Sequence, residues 1–310
     1  MSSSPLSSPL PIRWNWPAMA RCCHHRSDVT PRRLVLPAAL MTAGLILSAV
    51  MATAAKTPHP QDDDPLTGVR VGLPASWTGR AIPSESMEIL VLAGHADSQG
   101  IEGAGTSGAA VDRGGARPMD ARMRDELFWN RRVRDAVVTT GQARGLKIRS
   151  YEPDQLTIEN EEDPRTNWSV GRRHHDAGGY ALEIHFDAYG RHGVGSGLIP
   201  NRRSPATRID ESLALNFGRY PINFRGGLGA PRRGISILEI GKLEGQLERA
   251  LRAPHSRNAV IAALALRIVE AIELGIGETP GPATQRLSSP PDADDNVPQA
   301  MDLRTNAVDG

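Results

Sequence analysis

The sequence predicts an α/β fold. Residues 87–277 form a single three-layer domain whose mostly parallel or mixed sheet is flanked by helices, preceded by an N-terminal apolar helix and a linker. Three observations carry this. The runs MEILVLA (87–93) and ISILEI (235–240) are almost uninterruptedly apolar, as strands covered on both faces are. Helical and extended patterns alternate between them. Residues 256–275 then place Val260, Ile261, Leu264, Ile268 and Ile272 on one stripe, with Ser256 as the N-cap.

The elements follow in chain order. After the strand at 87–93, residues 121–140 read as a helix closed by Gly141, and 146–151 as a second strand. A weaker helix over 165–176 stops at Gly178-Gly179. The strand YALEIHFD (180–187) points Tyr180, Leu182, Ile184 and Phe186 to one face, and Glu183, His185 and Asp187 to the other. A Gly-rich loop (GRHGVGSG), a helix at 210–217, the strand at 235–240 and the helix at 256–275 complete the domain.

Outside the domain, residues 1–33 form a basic and polar lead-in that the positive-inside rule leaves in the cytoplasm. Residues 34–55 are an uncharged run long enough to span a bilayer, ending in an A-x-A-like Ala52-Thr53-Ala54. The run reads as a signal peptide or a signal anchor, and translation from Met19 would shorten the lead-in. Either reading exports the remainder to the periplasm or cell envelope, with the inner membrane as anchor if the run stays uncleaved. Residues 56–86 are a Pro/Asp-rich linker, and 278–310 a tail whose composition predicts disorder.

Composition narrows the function. The chain has 36 Lys+Arg against 35 Asp+Glu and no basic stripe, which argues against a nucleic-acid partner. Both cysteines, Cys22 and Cys23, precede the apolar run, so the exported part has neither a disulfide nor a thiol nucleophile.

The chemistry gathers near strand ends. His95 follows the first strand, His185 lies on the third, and Glu239 sits on the strand at 235–240. In α/β sheets such positions face the crevice where ligands bind. Helical spacing groups Glu126 with Met123, Leu127, Asn130, Val133 and Val137, and puts Asp125, Arg122 and Arg132 on the opposite side. His95, Glu126 and His185 have the composition of a catalytic zinc site, three N/O ligands with a position left for water. Glu239 is then the general base.

The pieces LAGHADSQG, MRDELFWN, LEIHFDAYG and ILEIGKLEG, in that order, resemble the zinc-dependent N-acetylmuramoyl-L-alanine amidases over nearly all of residues 87–277. The 165–176 helix and Ser212-Leu213-Ala214 fit the same pattern. The resemblance implies that His95, Glu126 and His185 bind Zn2+ and that Glu239 is catalytic. It also implies a peptidoglycan substrate, cut at the amide between the lactyl group of muramic acid and the first alanine of the stem peptide. Two stretches depart from the pattern. Ala96-Asp97-Ser98-Gln99 replaces a glycine-rich continuation, and Gly241-Lys242-Leu243-Glu244-Gly245 replaces the usual G-F-x-S-N.

Three further residues enter as supports. Asp97 reads as a solvated loop aspartate or as a hydrogen-bond partner of a ligating imidazole, Asp187 is expected to shape the strand exit or bind nearby backbone, and Glu183 to pair with an Arg such as Arg165 or make an outer hydrogen bond without touching the metal. Other hydrolase signatures are absent: there is no H-E-x-x-H, Ser98 stands where a carboxypeptidase H-x-x-E needs Glu, and Gly195-Ser196-Gly197 lacks nucleophile-elbow spacing. The loop GGLGAPRRG (226–234) is read as bordering the site, and His174-His175 as surface imidazoles. Two alternatives stay open: a non-catalytic peptidoglycan-binding protein on a degenerate amidase fold, suggested by GKLEG, and a zinc amidohydrolase of small acyl-amino acids.

Overall fold

The structure, a computed structural model, describes residues 63–84 and 86–277. The lead-in, the apolar run at 34–55 and the tail at 278–310 lie outside the described residues. Among the described residues no helix is long and apolar enough to cross a membrane.

The chain opens with a small hairpin, β1 (Asp63–Asp64) and β2 (Gly68–Val69), followed by β3 (Ile89–Ala93). Next come α1 (Ala109–Asp112), α2 (Asp125–Ala143), β4 (Ile148–Ser150), α3 (Asn167–Asp176) and β5 (Tyr180–Asp187). The chain continues through β6 (Gly197–Ile199), α4 (Arg208–Phe217), α5 (Gly229–Arg232), β7 (Ile235–Lys242), α6 (Gly245–Arg252) and α7 (Pro254–Ile276). The main sheet has the order β4-β3-β5-β7-β6. Its first four strands are mutually parallel and β6 runs antiparallel against β7, so the sheet is mixed.

The alternation along β5 sorts the domain into three layers. Tyr180, Leu182, Ile184 and Phe186 join Ile89, Val91, Leu238 and Ile240 in a core with α2, α4 and α7. The other face, with Leu90, Leu92, Ala181, Ile235 and Ile237, packs Trp168 of α3 and Ala230 of α5. Each such aliphatic side chain contributes about 1.5–3 kcal/mol when fully buried. Buried polar groups are tied into the framework: Asp210 caps α4 in a box with Thr207 and accepts from Tyr180 Oη (2.8 Å) and Ser236 Oγ (2.7 Å).

Several expectations are corrected. Residues 63–84, expected as linker, dock on the domain: Val71 is buried, Trp77 Nε1 donates to the Tyr220 carbonyl (2.7 Å), and Arg70 and Ala81 bridge to Ser196 and Thr207. Isolated apolar anchors among turn-forming residues show no period, so sequence patterning misses them. Helix α7 begins at Pro254 with Ala253 as its N-cap, and the Ser256 hydroxyl reaches back to the Ala250 carbonyl (2.8 Å). The Gly-rich segment 190–197 leads directly into edge strand β6, too short for an alternation signal. His174 is buried, with Nε2 2.9 Å from the Glu88 carbonyl oxygen, because the α3 C-terminus packs under the strand entry.

The strand order has a consequence for the site. From β3 the chain leaves to one side for β4, and from β5 to the other for β7. The crevice at the carboxyl ends of β3 and β5 is therefore a topological switch point.

Candidate metal centre

Gly94 and His95 follow β3 into that crevice. Gly94 N donates to the Ile184 carbonyl (2.8 Å), extending the ladder, and Asn130 Nδ2 of α2 donates to the Gly94 carbonyl (3.0 Å). A side chain at position 94 would meet His185 ring atoms at 2.3–2.6 Å, so only glycine lets this backbone lie against the imidazole. His95 has φ 62, in the left-handed region that costs a non-glycine residue about 1 kcal/mol or more. This conformation turns its ring across the crevice, edge-on to His185 with centroids 4.8 Å apart. Ser98 Oγ lies 3.4 Å from His95 Nδ1.

Glu126 arrives from the first turn of α2. Gln99 sets that turn: its Oε1 accepts from the Arg124 N–H (2.8 Å) while its Nε2 donates to the His95 carbonyl (3.0 Å). Glu126 and Thr106 are joined twice, by Glu126 N–H to the Thr106 carbonyl (3.1 Å) and Thr106 N–H to Glu126 Oε2 (2.7 Å). Oε1 is left for the imidazoles, 3.1 Å from His185 Nδ1 and 3.4 Å from His95 Nε2. Gly105, at φ +83, makes room: a Cβ there would lie 2.7 Å from Glu126 Oε2 and 2.9 Å from His95 Cδ2. Asp125, expected on the opposite side, is also buried. It accepts from Met119 N–H (2.7 Å) and pairs with Arg252, because the first turn is enclosed by the 99–124 loop and α6.

His95, Glu126 and His185 thus present donor atoms that all lie within 4.8 Å of one another, and among the described residues they form the group able to hold a metal ion. The set is two imidazoles and one carboxylate from three separate elements, with no thiolate. That chemistry fits a zinc site of the open, three-ligand kind. The electrostatics fit as well. Burial alone would raise the Glu126 pKa, but the His95 and His185 rings override it and hold the carboxyl well below the usual range. Burial would lower His185, yet Glu126 and Glu183 raise it well above the ordinary imidazole value. A buried anion between two rings that each turn a nitrogen to it is a donor arrangement that a cation can bind.

Glu239 stands beside the group as the register partner of His185 on β7. Its Oε2 is buried and has no hydrogen-bond partner. Burial, reinforced by Asp187 and Glu126 and opposed by His185, pushes its pKa up to about 8. A bulge in the β5–β7 register between His185 and Asp187 bends the strand at this point.

Of the supporting residues, Asp97 and Arg165 are placed differently from expectation, while Asp187 bonds nearby backbone. Asp97 accepts from the Asn167 N–H at the start of α3 (2.6 Å) and makes no hydrogen bond to an imidazole, since the loop carries it over that helix end. Arg165 is exposed and pairs with Asp163 (2.8 Å) and Asp154 (3.3 Å), its α3-side position being too far out to reach Glu183. Glu183 is instead held by His185 and Asn167. The Asp187 carboxylate accepts from the Ala188 (2.8 Å) and Gly195 (2.9 Å) amides and from Tyr220 Oη (3.3 Å). In the GKLEG segment Lys242 pairs with Glu244 (2.6 Å), whose Oε2 accepts from Gly190 N–H (2.8 Å). Sequence reasoning missed Asn167, Gln99 and Thr106. Only the glycine before His95 carried a visible signal of close packing.

No protein-family model matches the chain, and no curated protein does. Among solved structures it is similar to the catalytic domain of the CD27L endolysin targeting Clostridia difficile, at 17% identity and TM-score 0.38, over 60% of this chain and 97% of that one. It is also similar to the catalytic domain of CwlV, the N-acetylmuramoyl-L-alanine amidase of Bacillus (Paenibacillus) polymyxa var. colistinus, with 15% identity, TM-score 0.39 and coverage of 61% and 99%. The N-acetylmuramyl-L-alanine amidase Ami1 of Mycobacterium smegmatis gives 14% identity, TM-score 0.39 and coverage of 62% and 99%. At these scores the function has to be read from the residues of the site.

Proposed function

We propose that the chain is an exported zinc-dependent hydrolase of peptidoglycan that cleaves the amide between N-acetylmuramic acid and L-alanine. The observation that carries this is the convergence of His95, Glu126 and His185 within 4.8 Å, with Glu239 in register beside His185. The bond and substrate come from the resemblance of the four motif pieces. Export comes from the apolar run at 34–55, which lies outside the described residues.

His95, Glu126 and His185 would hold the ion. Zinc so held supplies a Lewis acid for the scissile carbonyl and brings the pKa of a water towards 7. The chain's own residues do the rest. Glu239 accepts the proton of the attacking water and later donates it to the leaving alanine nitrogen, as a buried carboxylate beside the ligand group is placed to do. Its unpartnered Oε2 leaves an acceptor free for that proton. Asp187 and Tyr220 brace the loop beside it by bonding the 188 and 195 backbone.

The test is made on the purified protein. It is expected to carry about one zinc per chain and to expose new N-terminal alanine in isolated cell walls. Loss of that product in Glu239→Gln, with zinc retained, supports the assignment. A zinc-loaded protein that sediments with walls and releases nothing points to a binding module, and release only from acyl-amino acids points to a small-molecule amidohydrolase.

A further inference from the structure

We propose that Glu183 is a positioning residue of the metal centre. It holds the Nε2 side of His185 and so reserves Nδ1, the nitrogen facing Glu126, for the metal. This rests on the zinc reading above and extends it to a residue outside the ligand set.

The two nitrogens of His185 face two different carboxylates. Nδ1 is 3.1 Å from Glu126 Oε1, and Nε2 is 3.4 Å from Glu183 Oε2. An imidazole that ligates through one nitrogen carries its proton on the other, and what that N–H meets decides which nitrogen is free. His185 Nε2 is buried and makes no hydrogen bond among the described residues; the Glu183 carboxylate, 3.4 Å away, is the acceptor that faces it. The ring cannot swing away, because the Gly94 backbone lies against it.

Glu183 is itself held in place. It is 2% exposed, and its Oε1 accepts from Asn167 Nδ2 at 3.4 Å. The same Asn167 amide group donates to the Ala93 carbonyl at 2.6 Å, immediately before Gly94-His95. Its backbone N–H goes to Asp97 Oδ2 at 2.6 Å. Asp97, Asn167, Glu183 and His185 therefore form one chain of contacts from the α3 start to the metal group, tying the His95 loop to the His185 strand.

The sheet does not require a carboxylate at this position. The register neighbours of Glu183 are Leu92 on β3 and Ile237 on β7, both apolar. A buried carboxylate there is costly unless it is paired. Its pairs are His185 and the Asn167 amide, so its side chain is spent on orienting the imidazole.

The experiment measures zinc affinity by competition with a chromogenic chelator for the full-length wild type, Glu183→Gln and Glu183→Ala, with circular dichroism to confirm folding. Truncation to alanine is expected to weaken zinc binding about 10–100-fold. Glutamine, a neutral acceptor, is expected to weaken it less than alanine does. Nitrogen-15 NMR of the zinc-loaded wild type should show the His185 proton on Nε2, a readout that a merely structural role does not set. A folded Glu183→Ala protein with wild-type zinc affinity overturns the proposal. So does a proton on Nδ1 of His185, which decides the matter even if the alanine variant does not fold. A wild type that binds no zinc defeats the metal reading first, and is recognised before any variant is compared.

Discussion

His185 and Glu239 occupy paired register positions on the parallel strands β5 and β7, so an imidazole between carboxylates and a partnerless carboxyl stand side by side at the carboxyl edge of the sheet. In the proposed function the pair divides the work: His185 joins the group that could hold the metal, while Glu239 keeps a buried oxygen free. Replacing Glu239 by glutamine preserves shape and removes the proposed base. Turnover is expected to fall by about 10²–10⁴-fold, the usual worth of general acid–base catalysis, with zinc content unchanged. Amine release from cell walls and metal analysis of the same sample check both halves.

The same carboxyl sets a pH dependence in metal-free protein. Its pKa is raised from 4.5 to about 8. A raised pKa means that the folded state keeps a proton the unfolded state has lost, so this contribution to stability is complete below 4.5 and disappears as pH rises towards 8. His185, also raised, adds a decline that begins above its ordinary 6.5. Urea unfolding of zinc-free protein should therefore show falling stability from pH 5 to pH 8, with Glu239→Gln flattening the early part. Zinc affinity should run the other way and strengthen with pH, since the imidazole must lose its proton to bind.

Gly94→Ala tests the packing under the imidazole. Its Cβ would press on three ring atoms of His185 at 2.3–2.6 Å. Overpacking of this kind costs about 1–3 kcal/mol, read as a lower denaturation midpoint. Zinc binding should weaken together with stability, because the ring moves with the strand.

His95→Asn tests the left-handed loop residue. Asparagine tolerates φ 62 well, so the fold should keep its stability to within about 1 kcal/mol. One of the three proposed ligands is lost, and zinc should no longer copurify. Calorimetry and metal analysis separate the two effects.

Asp210→Ala probes the framework away from the metal group. It strips the α4 capping box and leaves the buried Tyr180 and Ser236 hydroxyls without their acceptor. Leaving buried polar groups unpaired costs about 1–3 kcal/mol for each such group, so a destabilisation of that order or more is expected in chemical unfolding. The folded fraction should still bind zinc.

Much of the architecture was legible from patterning. The apolar runs at β3 and β7, the alternation on β5 and the stripe of α7 each follow from a side chain's need to leave water, a need written locally in the sequence. Edge strand β6 and the docked segment 63–84 were not legible, since a three-residue strand and scattered anchors have no period.

The sequence by itself determined a candidate set for the chemistry, because His95, Glu126, His185 and Glu239 combine suitable donors with strand ends or an inward helix face. The tertiary structure decided how the remaining charges are used. Asp97 went to the α3 amide, Arg165 to solvent-side carboxylates, and Glu183 to His185 and Asn167. The reason is physical. Burial on one face is encoded every second or fourth residue, whereas the partner of a buried charge is set by distances of about 3 Å between segments far apart in the chain, which exist only once the sheet has assembled.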